Sequence, residues 1–191
     1  MKYGIQELTG VIGGVPELAL SGINAGTNGG IVALISGTVG AATEAAKQGI
    51  PAIAFSGTSG EQVGFNTPTL PYQQIYSDLS LNITETLVAA GKPYLPKDIW
   101  INVNFPAVGA EGEACSRTSD FKFVLTRVYP WLGGDVETCG GTWLPDETSV
   151  FNSDGCHVSV SVSNAWTKAD VDAATQKVVL DKLAPILSCM P

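Results

Sequence analysis

Apolar and polar positions change period several times along the chain. Residues 17–21 (ELALS) form a short apolar run after Pro16, the pattern of a buried parallel strand. The run opens into Gly22-Ile23-Asn24-Ala25-Gly26-Thr27-Asn28-Gly29-Gly30, a loop of glycines and asparagines. Residues 36–48 favour helix, and Gly49 supplies a stop. Residues 51–55 (PAIAF) read as a second buried strand. Strand, Gly-rich loop, helix and strand make one βαβ unit of ~30 residues. Before it, residues 6–14 read as a short helix end or loop running into Gly13-Gly14.

Further on, residues 72–90 carry Ile75, Leu79, Ile83 and Leu87 at four-residue spacing, which predicts a helix. Residues 98–105 (DIWINVNF) alternate apolar and polar, as expected of a half-exposed strand near a sheet edge. Residues 121–129 (FKFVLTRVY) and 157–163 (HVSVSVS) alternate with period two, which predicts antiparallel strands. A loop rich in Gly, Asp and Glu separates them. Thr167-Lys168-Ala169-Asp170 resembles an acidic capping box opening a last helix to about Leu187. The expected class is α/β, with a core over residues 1–110 and a smaller β-rich extension with a C-terminal helix over 111–191. The length of 191 residues fits one domain of ~100–200 residues.

Composition narrows the function classes. Apolar types make up 45% and charged types 15%, against a usual charged share of roughly 25%, which excludes intrinsic disorder. Ten basic and 18 acidic residues give a net charge of −8. Such a surface repels phosphate backbones and argues against a nucleic-acid groove. Small phosphate esters stay open, because backbone N–H groups bind them without net positive charge. No apolar run reaches the ~18 residues of a membrane span, and residues 1–6 resemble neither a signal nor a transit peptide. The four cysteines form no C-x-x-C and the single histidine is His157, so a zinc site is not expected. Two disulfides fit better; of three connectivities, Cys139 with Cys156 and Cys115 with Cys189 is the expected pairing. With the sequon Asn82-Ile83-Thr84 they point to a secretory compartment.

The first βαβ unit carries the candidate chemistry. Open α/β sheets bind ligands at the carboxyl ends of their strands, where the Gly/Asn loop stands. Its glycines let the backbone approach a ligand, and Asn24 and Asn28 offer amide donors and acceptors. Ser36-Gly37-Thr38 then opens a helix whose first N–H groups are unpaired, a good place for a phosphate. The plainer alternative is that these residues serve only a turn and an N-cap. Neither G-x-G-x-x-G nor G-x-x-x-x-G-K-[ST] occurs, which removes support for dinucleotide and P-loop binding.

Three segments resemble the SurE (survival protein E) family of metal-dependent phosphatases and nucleotidases. These are the run from Leu20 to Asn28, Ile35-Ser36-Gly37-Thr38-Val39-Gly40-Ala41-Ala42, and Gly49-Ile50-Pro51-Ala52-Ile53-Ala54-Phe55-Ser56. Asn102-Val103-Asn104-Phe105-Pro106 resembles the family's N-[IV]-N-x-P strand, and Gly155 to Val162 a further family strand. The cysteines and sequon are similar to its secreted fungal branch. The resemblance implies a Rossmann-like three-layer fold and hydrolysis of small phosphomonoesters or nucleotides with one Mg or Mn ion. It also implies a possible homodimer. It gives Asn24 the role of metal ligand, and Asn28, Ser36, Gly37 and Thr38 that of phosphate binding. The family's N-D-D motif is not matched: no Asp-Asp pair occurs in the chain. The expectation is a chain lacking the family's leading strand–helix units, roughly 90 residues at ~30 each. It would hold one of four metal ligands and be impaired as an enzyme. A non-catalytic remnant that binds an anion or a partner is the rival.

Other residues read more plainly. His157 is expected to be structural. Pro145-Asp146-Glu147-Thr148 reads as a solvated turn rather than an acid/base pair. Trp131 and Trp143 can stack on a base or sugar, but core or oligomer packing is the expected role. With one histidine in the chain, distant from Ser36, a nucleophilic serine is not expected.

Overall fold

The computed structural model describes residues 1–129 and 134–191. Trp131 lies outside the described residues. Two short helices, α1 (Lys2–Glu7) and α2 (Thr9–Ile12), precede strand β1 (Ala19–Ala25), a 3-10 turn (Gly30–Leu34), helix α3 (Gly37–Lys47) and strand β2 (Ala52–Gly57). Helix α4 (Pro71–Ala89) leads to β3 (Ile99–Phe105) and β4 (Lys122–Thr126). Helix α5 (Glu147–Phe151), β5 (His157–Asn164) and α6 (Ala173–Leu183) complete the chain. The strands form one sheet in the order β1-β2-β3-β5-β4.

Period-two alternation sends the two faces of each strand into different layers. Ile99, Ile101, Val103 and Phe105 join Val158, Val160 and Val162 against α4 and α6, where Ile75, Leu79, Ile83 and Leu87 are all buried. On the other face Ala52, Ala54 and Trp100 pack against Val39, Ala42, Ala45 and Ala46 of α3. Helix, sheet and helix make the three layers of a Rossmann-like α/β fold.

Several expectations need correction. β3 is buried along its whole length, because it lies in the middle of the sheet rather than near an edge. Its polar residues, Asn102 and Asn104, are interior groups beneath the second layer. β5 runs antiparallel to β3, as its alternation predicts, but pairs with β4 in parallel. The last helix starts at Ala173, capped by Asp172, whose side chain accepts from the Thr175 amide at 2.8 Å. Asp170 accepts instead from the amides of Val128 and Tyr129 at 2.7 and 3.1 Å. Helix α6 ends at Leu183, and Leu187 bridges to Phe123 along the outer edge of β4.

The disulfides are Cys115–Cys156 and Cys139–Cys189. That is the reverse of the expected partners, and the chain path explains it. Cys156 sits at the head of β5 beside β4, where its carbonyl accepts from the Lys122 amide. Cys189 follows Ser188, whose amide bonds to the Phe123 carbonyl, so the tail is held near the turn that carries Cys139. Asn82 of the sequon is exposed on α4. Among the described residues no helix is long and apolar enough to cross a membrane.

Candidate functional site

The parallel strands β1, β2 and β3 end together, and their register aligns polar residues across the sheet. Asn24 pairs with Ser56, Ser56 with Asn104, and Asn104 with Ser159 of β5. β1 reaches this line only through a register shift after Ser21. There Gly22 takes φ +116°, and a Cβ on it would stand 2.2 Å from the Phe55 carbonyl oxygen. Only glycine allows the close approach of the two strands at this point.

Asn28 is buried above the row. Its amide donates to Asn104 Oδ1 at 2.8 Å, its Nδ2 donates to Ser56 Oγ, and its carbonyl accepts from Asn102 Nδ2 at 3.0 Å. Asn24 is half-buried at the end of β1, where its Nδ2 donates to the Gly26 carbonyl at 2.8 Å. Ser36 is the N-cap of α3, its Oγ accepting from the Val39 amide at 3.2 Å. That bond uses one first-turn donor; the Gly37 and Thr38 amides have no intrahelical acceptor and form the positive end of the helix dipole. Lys168 Nζ donates to the Leu34 carbonyl at 2.8 Å, which brings an ammonium group next to this helix start.

The structure thus brings Asn24 and Asn28 together at Ser56, with Ser36, Gly37 and Thr38 beyond the 3-10 turn. The small cleft that Asn24 lines, about 160 Å³, is shared with Ser59, Glu61, Tyr72, Gln73 and Tyr76, and the helix start is outside it. Tyr76 forms its floor: its hydroxyl accepts from the Ser59 amide and donates to the Pro106 carbonyl, and its ring stacks on Phe105 at 5.0 Å. A larger cleft of about 650 Å³ lies at the opposite end of the strands, between residues 15–17, 48–51 and 92–99. Ligands of open α/β sheets bind at the carboxyl ends of the strands, which makes the smaller cleft the candidate.

Sequence reasoning missed Glu147. It is not in a solvated turn: it is 0% exposed and opens α5, with Asp146 as N-cap accepting from the Ser149 amide at 3.0 Å. Its carboxylate accepts from the Gly30 amide at 2.8 Å, from Asn102 at 3.0 Å and from Ser161 at 2.9 Å. Burial pushes its pKa up to about 8, against these donors, which favour the charged form. A Cβ on Gly29 would stand 2.6 Å from the Phe151 ring, so α5 presses directly on the loop. The signal for this was the polar pattern itself. Asn102, Asn104, Ser159 and Ser161 share one face of adjacent strands, and a polar face is solvated unless another polar element covers it.

His157 is buried, with Nδ1 bonded to Ser153 Oγ at 2.9 Å; burial lowers its pKa, with Lys122 adding to the effect. Trp143 is 63% exposed and is not core packing.

The donor set at Asn24 does not fit a divalent cation. Asn24 offers one neutral amide oxygen, its Nδ2 being the atom that donates to Gly26, and Glu61 is the single carboxylate on its cleft. Among the described residues no three His, Cys, Asp or Glu side chains group closely enough to hold a metal ion. A hard cation in a phosphoryl-transfer site takes carboxylate oxygens.

Fold and site together define a three-layer α/β protein with its Gly/Asn loop at the carboxyl ends of parallel strands. Residues 1–128 match the family described as Survival protein SurE, and the chain belongs to that family. The protein named 5'-nucleotidase SurE from Desulfatibacillum aliphaticivorans is 32% identical over 82% of this chain and 60% of its own length. Its namesake 5'-nucleotidase SurE 1 from Thermus thermophilus is 40% identical over 63% and 48%. A protein named acid phosphatase from Yarrowia lipolytica is 34% identical over 76% and 49%. The crystal structure of the SurE protein from Aquifex aeolicus superposes with a TM-score of 0.54 and 25% identity, covering 86% of this chain and 64% of that one. The chain therefore spans about half to three fifths of the length of these relatives.

Proposed function

We propose that this chain carries the phosphate-binding part of a phosphomonoester hydrolase of nucleotidase or acid-phosphatase type. The observation that carries the reading is the clamped Asn28, fixed by Asn104, Ser56 and Asn102 at the carboxyl ends of three parallel strands. In this reading the Gly37 and Thr38 amides and the Thr38 hydroxyl take the phosphoryl oxygens, while Asn28, whose donors are committed to Asn104 and Ser56, holds the loop that leads to them. Tyr72 and Gln73, on the cleft that Asn24 lines, leave room for the alcohol part of a small ester. Two disulfides fit a protein of an oxidising compartment, in line with the fungal acid phosphatase among the relatives.

Turnover is a separate matter. Electrostatic stabilisation supplies most of the catalysis in phosphoryl transfer. One neutral amide cannot replace the carboxylates of a metal centre. The chain of residues 1–191 by itself is therefore expected to bind phosphate and hydrolyse very little. The test is hydrolysis of p-nitrophenyl phosphate and of nucleoside monophosphates with Mg or Mn. Robust, chelator-sensitive turnover would show that these residues assemble a complete metal site and overturn the expectation.

A further inference from the structure

We propose that Glu147 is a positioning residue for the phosphate loop, resting on the reading that Asn28 and the helix start beyond it face the phosphate. The carboxylate stands 117 residues from Gly30 in sequence, yet its Oε1 accepts from the Gly30 amide at 2.8 Å. The other oxygen accepts from Asn102 Nδ2 and Ser161 Oγ, on β3 and β5. Asn102 Nδ2 passes the constraint on by donating to the Asn28 carbonyl at 3.0 Å. One fully buried side chain thus ties the loop at residues 28 and 30 to the two central strands. Helix α5 is itself fixed at this point, because the Glu147 amide donates to the Arg127 carbonyl at 2.7 Å.

A purely packing role would not use this residue. Burying a carboxylate costs more than burying an apolar side chain of the same volume. What the carboxyl group adds is hydrogen bonding to groups on three segments, which no apolar residue supplies. Fixing the loop before a ligand arrives removes part of the ordering cost that binding otherwise meets.

Glu147→Gln separates the functions with almost no change of volume. The amide keeps one acceptor but turns a donor toward Asn102 Nδ2, so either the Gly30 bond or the Asn102 bond is lost. The experiment follows amide hydrogen exchange by NMR in the 191-residue protein, together with titration by inorganic phosphate. In the wild type the Gly30 amide should be protected although it lies in a loop. In Glu147→Gln, exchange at Asn28 and Gly30 should rise about tenfold, and phosphate affinity should fall by a similar factor, as for losing one buried hydrogen bond. Amides of Ile101 and Val160 should keep their rates, which a residue serving only global stability would not allow. Ser161→Ala, removing a partner on the sheet side, should leave Gly30 protected.

An unprotected Gly30 amide in the wild type would overturn the proposal without any variant. So would phosphate binding that Glu147→Gln leaves unchanged. Absence of phosphate binding in the wild type would instead remove the functional reading, and the positioning role with it.

Discussion

The backbone amide of Asn28 donates to the side-chain oxygen of Asn104 at 2.8 Å, joining residues 76 positions apart in the interior. This bond holds the Gly/Asn loop against the centre of the sheet. Asn104 Nδ2 has no hydrogen-bond partner among the described residues, so the side chain is kept for its acceptor.

Asn104→Ala should therefore leave a buried N–H unsatisfied. The expected loss is about 1–3 kcal/mol, read as a lower urea midpoint with an unchanged slope. An unchanged midpoint would mean that the loop does not depend on this anchor.

Arg127 makes a second test. It is buried against Asp135, with Asp170 at 3.6 Å, and Gln176 completes the group by donating to Asp135 at 2.8 Å. Asp135→Ala leaves the guanidinium buried without its closest partner, and about 3–5 kcal/mol of stability should be lost. Equilibrium denaturation measures it, and a loss under about 1 kcal/mol, the value of an exposed pair, would contradict the burial.

Much of this arrangement was legible in the chain. The apolar runs of β1 and β2, the helix through Ile75 and Leu87, and the Gly/Asn loop all follow from local pattern. Asn28 and the Ser36 cap were visible because glycines and helix starts leave local signatures. Glu147 was not, because Pro-Asp-Glu-Thr is chemically a turn wherever it stands, and only tertiary covering makes its carboxylate interior. The same cause misplaced β3: an alternating strand reads as half-exposed until a second layer is known to cover Asn102 and Asn104. The disulfides failed for a different reason. Pairing depends on where Cys189 is carried by the tail bonded along β4, which no spacing encodes.

Mass mapping of non-reduced peptides should find Cys115 joined to Cys156 and Cys139 to Cys189. The sequence separations are 41 and 50 residues. Loop entropy then gives each bond about 4 kcal/mol. Peptides joining Cys139 to Cys156 would refute the chain path at the edge of β4.

Glu147 also gives a pH dependence with a definite sign. Its pKa is raised from 4.5 to about 8 by burial. Between these values the unfolded chain releases a proton that the folded chain keeps. Stability from this group is therefore fully present below pH 4.5 and is lost as pH rises toward about 8, at up to roughly 1.4 kcal/mol per unit. The stability difference between wild type and Glu147→Gln should fall across that window and level off above it. A difference that stays flat from pH 4.5 to 8 would show that the carboxylate ionises normally in the folded protein.

The most direct measurement is a 15N–1H NMR titration of the 191-residue protein with adenosine monophosphate. Saturable shifts should concentrate at Asn28, Gly37 and Thr38, with smaller ones at Tyr72 and Gln73 on the cleft that Asn24 lines. Saturable shifts confined to the large cleft at the amino ends of the strands, around Gly49 and Tyr94, or no saturable shifts at all, would contradict the account.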